Sequence, residues 1–174
     1  MKSKQGKFLG MNEEFLKEEY EKLHAAGHYS GYFCLKYKER IKELIESTSS
    51  HTILDYGCGK GFQYFKLRVH AYWKVSVSCY DKFYKELSIL PTTQSDGVIC
   101  VEVLEHIPEN QIDDVLKQIF GAAKKFVFLT VATKEAKKKF SNGENVHILL
   151  KDKEWWMQKI NAASKDQIVD VIFN

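Results

Sequence analysis

The chain has 174 residues, of which 44% are hydrophobic and 28% charged, with a net charge of +3. That length suits one domain with one core, stable without disulfides or a structural metal. The mild charge gives no argument for nucleic acid, no apolar run reaches bilayer length, and the start Met1–Lys7 lacks the apolar stretch of a signal peptide.

The four cysteines, Cys34, Cys58, Cys79 and Cys100, match no zinc spacing. They read as reduced, core-type thiols, which points to the cytoplasm.

Residues 1–10 read as a flexible basic tail and residues 11–50 as an N-terminal helical cap. Asn12 caps a helix running to Ala26, with Glu13 and Glu14 in its first turn and an apolar stripe of Phe15, Leu16, Tyr20 and Leu23. Gly27 ends it. The aromatic link His28–Phe33 leads to a second helix, Cys34–Glu46.

A strand follows over Thr52–Asp55, then a turn with glycines at 57, 59 and 61, then a helix over Phe62–Val69. Val75–Tyr80 alternates apolar and small polar residues and reads as a second strand, ending at Asp81. The stretch Lys82–Ser95 carries Pro91 and a polar run, and predicts a loop. Asp96–Val101 is a third strand and Glu109–Ala123 a helix with Ile112, Val115, Leu116, Ile119 and Phe120 at helical spacing. Phe126–Val131 is a fourth strand. The lysine run Lys134–Lys139 reads as a solvated face, Ser141–Asn145 as a turn, Asp152 as the start of a last helix, and Ile168–Phe173 as a closing strand. Strands alternating with helices predict a mostly parallel, doubly wound α/β sheet in three layers and a single domain. In such sheets ligands bind at the carboxyl ends of the strands. Asp55, Asp81 and Glu102 all fall at such ends.

The turn Asp55-Tyr56-Gly57-Cys58-Gly59-Lys60-Gly61 has the chemistry of a ligand loop. Glycines let a backbone turn tightly and approach a ligand, and the following helix start offers N–H groups. The spacing is not the dinucleotide G-x-G-x-x-G, and Lys60 is followed by glycine rather than Ser or Thr, so it is not a P-loop. A glycine-rich turn with no ligand is the plain alternative.

The pattern D-x-G-x-G-x-G resembles motif I of class I S-adenosylmethionine (SAM) methyltransferases. The segment Asp96–Pro108, D-G-V-I-C-V-E-V-L-E-H-I-P, is similar to motif IV of the same enzymes, in the subgroup of the ubiquinone-type O-methyltransferases. The segments around Asn142–His147 and Glu154–Trp156 resemble a short branch of the class. The resemblance implies a Rossmann-like fold, SAM as methyl donor and S-adenosylhomocysteine as product. It implies cofactor contacts from Asp55, Gly57, Cys58, Gly59 and Gly61, from Asp81 with neighbouring Lys82, and from Val101 and Glu102. Asp81 stands about twenty residues after Gly61, where an acidic residue takes ribose hydroxyls; a turn residue at a strand end is the alternative. Lys36 stands where the ubiquinone-type enzymes place an arginine on the SAM carboxylate, or is a solvated helix lysine. Members of the class usually fit a helix and a strand where this chain has only Lys82–Ser95, so one β–α unit is reduced to a loop and the adenine contact is unassigned among Tyr80, Lys82, Phe83 and Leu90.

Glu102, Glu105 and His106 form E-x-x-E-H, which on a helical turn shares one face. With His147 it is similar to the metal site of small-RNA terminal 2′-O-methyltransferases. In other relatives Glu105 and His106 only anchor the helix, and no metal ligand is assigned. His106 and His147 are then the candidate general bases. The aromatics of Tyr29–Phe33 and Trp155–Trp156 either roof an acceptor pocket or cover the sheet edge. The expectation is methyl transfer to oxygen or nitrogen of a small-molecule or sugar-type acceptor, with neither a nucleic-acid partner nor a membrane span. A Mg²⁺-assisted RNA 2′-O-methyltransferase and a non-catalytic SAM-binding module are the alternatives. Oligomeric state is not legible.

Overall fold

A computed structural model describes residues 13–174. The expected tail at 1–10 and the Asn12 cap lie outside the described residues.

Five parallel strands form one sheet: β1 Thr52–Tyr56, β2 Ser76–Tyr80, β3 Ser95–Val101, β4 Ala123–Val131 and β5 Ile168–Phe173, in spatial order β2-β1-β3-β4-β5. Successive residues of a strand face opposite sides. Ile53, Ile99, Val101, Phe126 and Phe128 accordingly bury one way, against helix α2 (Lys38–Ser47), α3 (Phe62–Phe65) and α4 (Val69–Trp73). Leu54, Val98, Cys100, Val127, Leu129 and Val131 bury the other way, against α5 (Ile112–Ala122) and α6 (Lys153–Ala163). The Rossmann-like three-layer expectation holds. The chain connection from β2 to β3, which lie on either side of β1, passes through a loop with one 3₁₀ turn, Lys85–Leu87, so the β–α unit is absent there.

Several boundaries differ from expectation. The helix expected over Phe62–Val69 is two short pieces, broken by Arg68 in the left-handed region at φ 52°. Tyr64 and Trp73 are both buried. Nine residues apart, they would point in roughly opposite directions (about 180°) on one continuous helix. The second helix opens with a 3₁₀ turn, Phe33–Tyr37, and β4 starts at Ala123 with no loop after α5. Lys124 and Lys125 therefore begin a strand rather than end a helix. At α6 the Asp152 side chain accepts the Trp155 N–H at 2.8 Å, a cap worth about 1 kcal/mol.

Helix α1 (Glu13–Ala25) stands apart from both layers. Leu16 and Tyr20 pack with Phe140, Val146 and Ile148 in a third, smaller cluster. That cluster joins the start of the chain to the segment between β4 and α6, beside the carboxyl ends of the strands.

Candidate active site

Asp55 lies one residue before the end of β1. Asp81 follows the last residue of β2, and Glu102 follows the last of β3. These strands are adjacent and parallel, so the three carboxylates come to one place. All three line one cavity with Gly57, Cys58, Gly59, Lys82, Val101 and His106. Lys36, Gly61 and His147 are not part of its wall. Lys36 is exposed, its ammonium 5.0 Å from the Tyr37 ring centre. Lys82 reaches back to Glu13 at 2.6 Å.

The glycine loop is held differently from expectation. A helix start after such a turn ordinarily offers free N–H groups. Here Gly57 and Cys58 donate to Tyr80 O, Gly59 to Asp81 Oδ2 at 2.8 Å, Lys60 to Tyr29 O, Gly61 to Cys58 O, Phe62 to Ser30 O and Gln63 to Gly31 O. Every N–H from 57 to 63 already has a protein acceptor. The carbonyls of Tyr29–Gly31 cross the loop so closely that a Cβ on Gly59, at φ 60°, would stand 2.3 Å from Tyr29 O. A phosphate cradle needs unpaired donors, and this loop presents none.

Asp55 is 2% exposed. Its Oδ2 accepts from Gln63 Nε2 at 2.6 Å and from Tyr64 OH at 2.7 Å. Burial outweighs these two donors and lifts its pKa to about 7. Asp81 accepts from Gly59 N and Phe83 N, and its Oδ1 lies 3.6 Å from His24 Nε2. A carboxylate has about four lone-pair positions, so two remain. Glu102 has φ 56°, unusual for a residue with a Cβ and a form of strain found at functional strand ends. Thr130 holds it there: Oγ1 accepts the Glu102 N–H at 2.9 Å and donates to Oε1 at 3.1 Å, where the Asn174 amide also binds.

That conformation corrects the reading of E-x-x-E-H as one helical face. Glu102 precedes the 3₁₀ turn Leu104–His106 and turns toward Thr130 and Asn174. Glu105 is fully buried and accepts from Ala132 N. Its pKa rises to about 8, through burial first and then the charge of Glu102. His106 Nδ1 lies 2.8 Å from Val146 O and 3.0 Å from Tyr20 OH. Burial, with the neighbouring His147, lowers its pKa to about 4, so it is neutral at pH 7. The two imidazoles meet edge to face with centres 5.0 Å apart.

Some wall residues were not legible as such. Tyr20 and His24 of α1 line the cavity with Leu16 and Glu13. Their spacing, i, i+4 and i+8 from Leu16, is the signal that could have extended the apolar stripe to His24. Tyr29 and Phe33 line the cavity, while Trp155 and Trp156 do not; Trp156 is wholly buried in the core under β3 and β4. Lys138, expected to be solvated with its neighbours, holds its ammonium 4.7 Å from the Tyr29 ring centre.

No curated protein matches the chain. A methyltransferase-domain family matches residues 27–168. The matched span begins at the aromatic link, takes in β1 to β4 with the cavity residues between them, and reaches the first residue of β5. Over most of its length, and over the whole of the acidic strand-end site, this chain belongs to the methyltransferase-domain family.

Proposed function

We propose that the chain transfers a methyl group from SAM to an oxygen or nitrogen of a small-molecule or sugar-type acceptor, releasing S-adenosylhomocysteine. The observation that carries this reading is the pairing of three carboxylates with a loop whose N–H groups are all satisfied internally. Such a cavity repels phosphate and favours a cationic ligand bearing hydroxyls. SAM has that chemistry: a sulfonium and an ammonium at one end, a ribose diol at the other.

Asp81 has two lone-pair positions left for the ribose hydroxyls. Asp55, Gly57 and Glu102 stand at the methionine end. SAM brings the activated methyl, and the protein's part is to hold the acceptor in line with it and exclude water. Tyr20, Tyr29 and His106 form the wall on the acceptor side, and His147 stands behind His106. Four free thiols fit a reducing compartment, the cytoplasm. Among the described residues no helix is long and apolar enough to cross a membrane. The placement near the ubiquinone-type O-methyltransferases rests on the segment Asp96–Pro108.

Calorimetric titration tests the cofactor assignment. One equivalent of SAM or S-adenosylhomocysteine is expected to bind with a dissociation constant between about 1 μM and 1 mM. No heat of binding at millimolar ligand would remove SAM from the reading.

A further inference from the structure

Outside the cavity, four large hydrophobic side chains are left in water close together. Tyr32 and Phe33, just after the strap, are 40% and 58% exposed; Phe65 and Leu67, at the end of α3, are 65% and 56% exposed. The two pairs meet where strap and glycine loop touch. Phe62 and Gln63 donate to Ser30 O and Gly31 O, and the Tyr32 and Phe62 rings stand 6.0 Å apart between centres. Phe65 lies over Gly61, where a Cβ would come within 2.9 Å of its ring. Single exposed hydrophobic residues are ordinary, whereas a group of them marks a surface that something covers. The same surface is basic. Residues 27–38 and 56–80 contain no Asp or Glu. Lys36, Lys66 and Arg68 are exposed and Lys60 is half-buried. Among the described residues none of the four is in an ion pair. Phe65-Lys66-Leu67-Arg68 is thus an exposed run that alternates apolar and cationic residues, pinned at both ends by buried Tyr64 and Val69.

We propose that this face, formed by Tyr32, Phe33, Phe65 and Leu67 with Lys36, Lys60, Lys66 and Arg68, docks on the surface of a bilayer carrying anionic headgroups. The charge is complementary: an acid-free basic surface meets a negative lipid surface, while the apolar side chains enter the boundary between headgroups and acyl chains. Aromatic rings between basic residues also suit single-stranded nucleic acid, which needs flat ring faces for its bases. Those faces are not offered here. The Lys66 ammonium covers the Phe62 ring at 3.8 Å from its centre, Tyr32 and Phe62 are tilted by 57°, and Leu67 cannot stack. An acyl boundary accepts an aliphatic side chain and a ring in any orientation. Phe33 is both exposed and part of the cavity wall, so the docked face includes the cavity's rim. No helix needs to cross the bilayer for this contact.

The full chain is sedimented with vesicles of phosphatidylcholine, with and without about 30% phosphatidylserine. Binding is expected on the anionic vesicles alone, and to fall severalfold between about 50 and 300 mM salt. Lys66→Ala and Arg68→Ala are each expected to weaken it about fivefold. Phe65→Ser and Leu67→Ser are each expected to weaken it about tenfold with thermal unfolding unchanged, since both side chains are already in water. Ile168→Thr is the control, an exposed residue at the amino end of β5, and is expected to bind as the wild type does. No binding to anionic vesicles at low salt, equal binding to both kinds, or unchanged binding in Phe65→Ser and Leu67→Ser overturns the proposal. An oligouridylate that displaces the vesicles, and loses its own affinity in Phe65→Ser, assigns the face to nucleic acid and overturns it. A dimer in analytical ultracentrifugation that Phe65→Ser dissolves assigns it to a second copy of the chain, with the same consequence. No readout involves SAM or turnover, so the docking face and the methyl-transfer reading stand or fall separately.

Discussion

Glu19 of α1 accepts two hydrogen bonds from Ser141, 122 residues further along the chain: Oε2 takes the backbone N–H and Oε1 the hydroxyl, both at 2.7 Å. Lys22 adds a contact at 3.0 Å. These groups, Ser141 first, hold the Glu19 pKa down to about 2 from 4.5. A carboxyl depressed by folding stabilises fully above its unfolded pKa and loses that contribution as pH falls through the folded value. Glu19→Gln is expected to cost about 1–3 kcal/mol at pH 7. The difference should shrink below pH 4.5 and vanish near pH 2. Urea unfolding of both proteins across that range measures it.

Asp55 titrates in the opposite sense. Its folded pKa, about 7, lies above the ordinary 3.8. The folded state therefore holds a proton that the unfolded state has lost between those values. Its stabilising contribution is full below pH 3.8 and lost as pH rises through 7. Asp55→Asn keeps an acceptor for Gln63 and Tyr64 and removes the charge. It is expected to gain on the wild type by about 1–3 kcal/mol between pH 4 and pH 8. A parallel pH profile of the two unfolding curves would disprove this.

Asp81 has two tasks, which can be separated. It fixes the loop through Gly59 N and, in the proposed function, accepts the ribose hydroxyls. Asp81→Ala is expected to weaken S-adenosylhomocysteine by about tenfold to a hundredfold. If only the loop were affected, a 2′,3′-dideoxy analogue would weaken equally. Ribose contact predicts that the analogue binds wild type and variant with nearly the same affinity.

Gly59→Ala is a test of the loop alone. The added Cβ meets Tyr29 O, a backbone atom, from a left-handed residue. A loss of about 2 kcal/mol or more is expected in thermal unfolding. Gly121→Ala, where nothing lies within 4 Å of the new carbon, should be neutral or slightly stabilising.

The sheet was legible because its signals are local. Ile53 and Leu54, or Phe126–Val131, are apolar runs that a buried parallel strand requires. The acidic strand ends followed from the same runs. What escaped were features set by distant chain. Nothing near Arg68 says that Tyr64 and Trp73 must face the same core. Nothing in E-x-x-E-H says that Thr130 and Asn174 hold Glu102, or that His147, 41 residues after His106, arrives beside it. Tyr29–Gly31 looked like a linker and is the strap that satisfies the glycine loop.

That strap changes what binding must accomplish. A flexible anion loop becomes ordered when its ligand arrives, and part of the interaction energy is consumed by that ordering. Here the conformational entropy of residues 57–63 is surrendered during folding, against Tyr29–Gly31, Tyr80 and Asp81. The loop is preorganised: it meets an incoming cofactor as a rigid wall, and selectivity rests on shape and charge already in place.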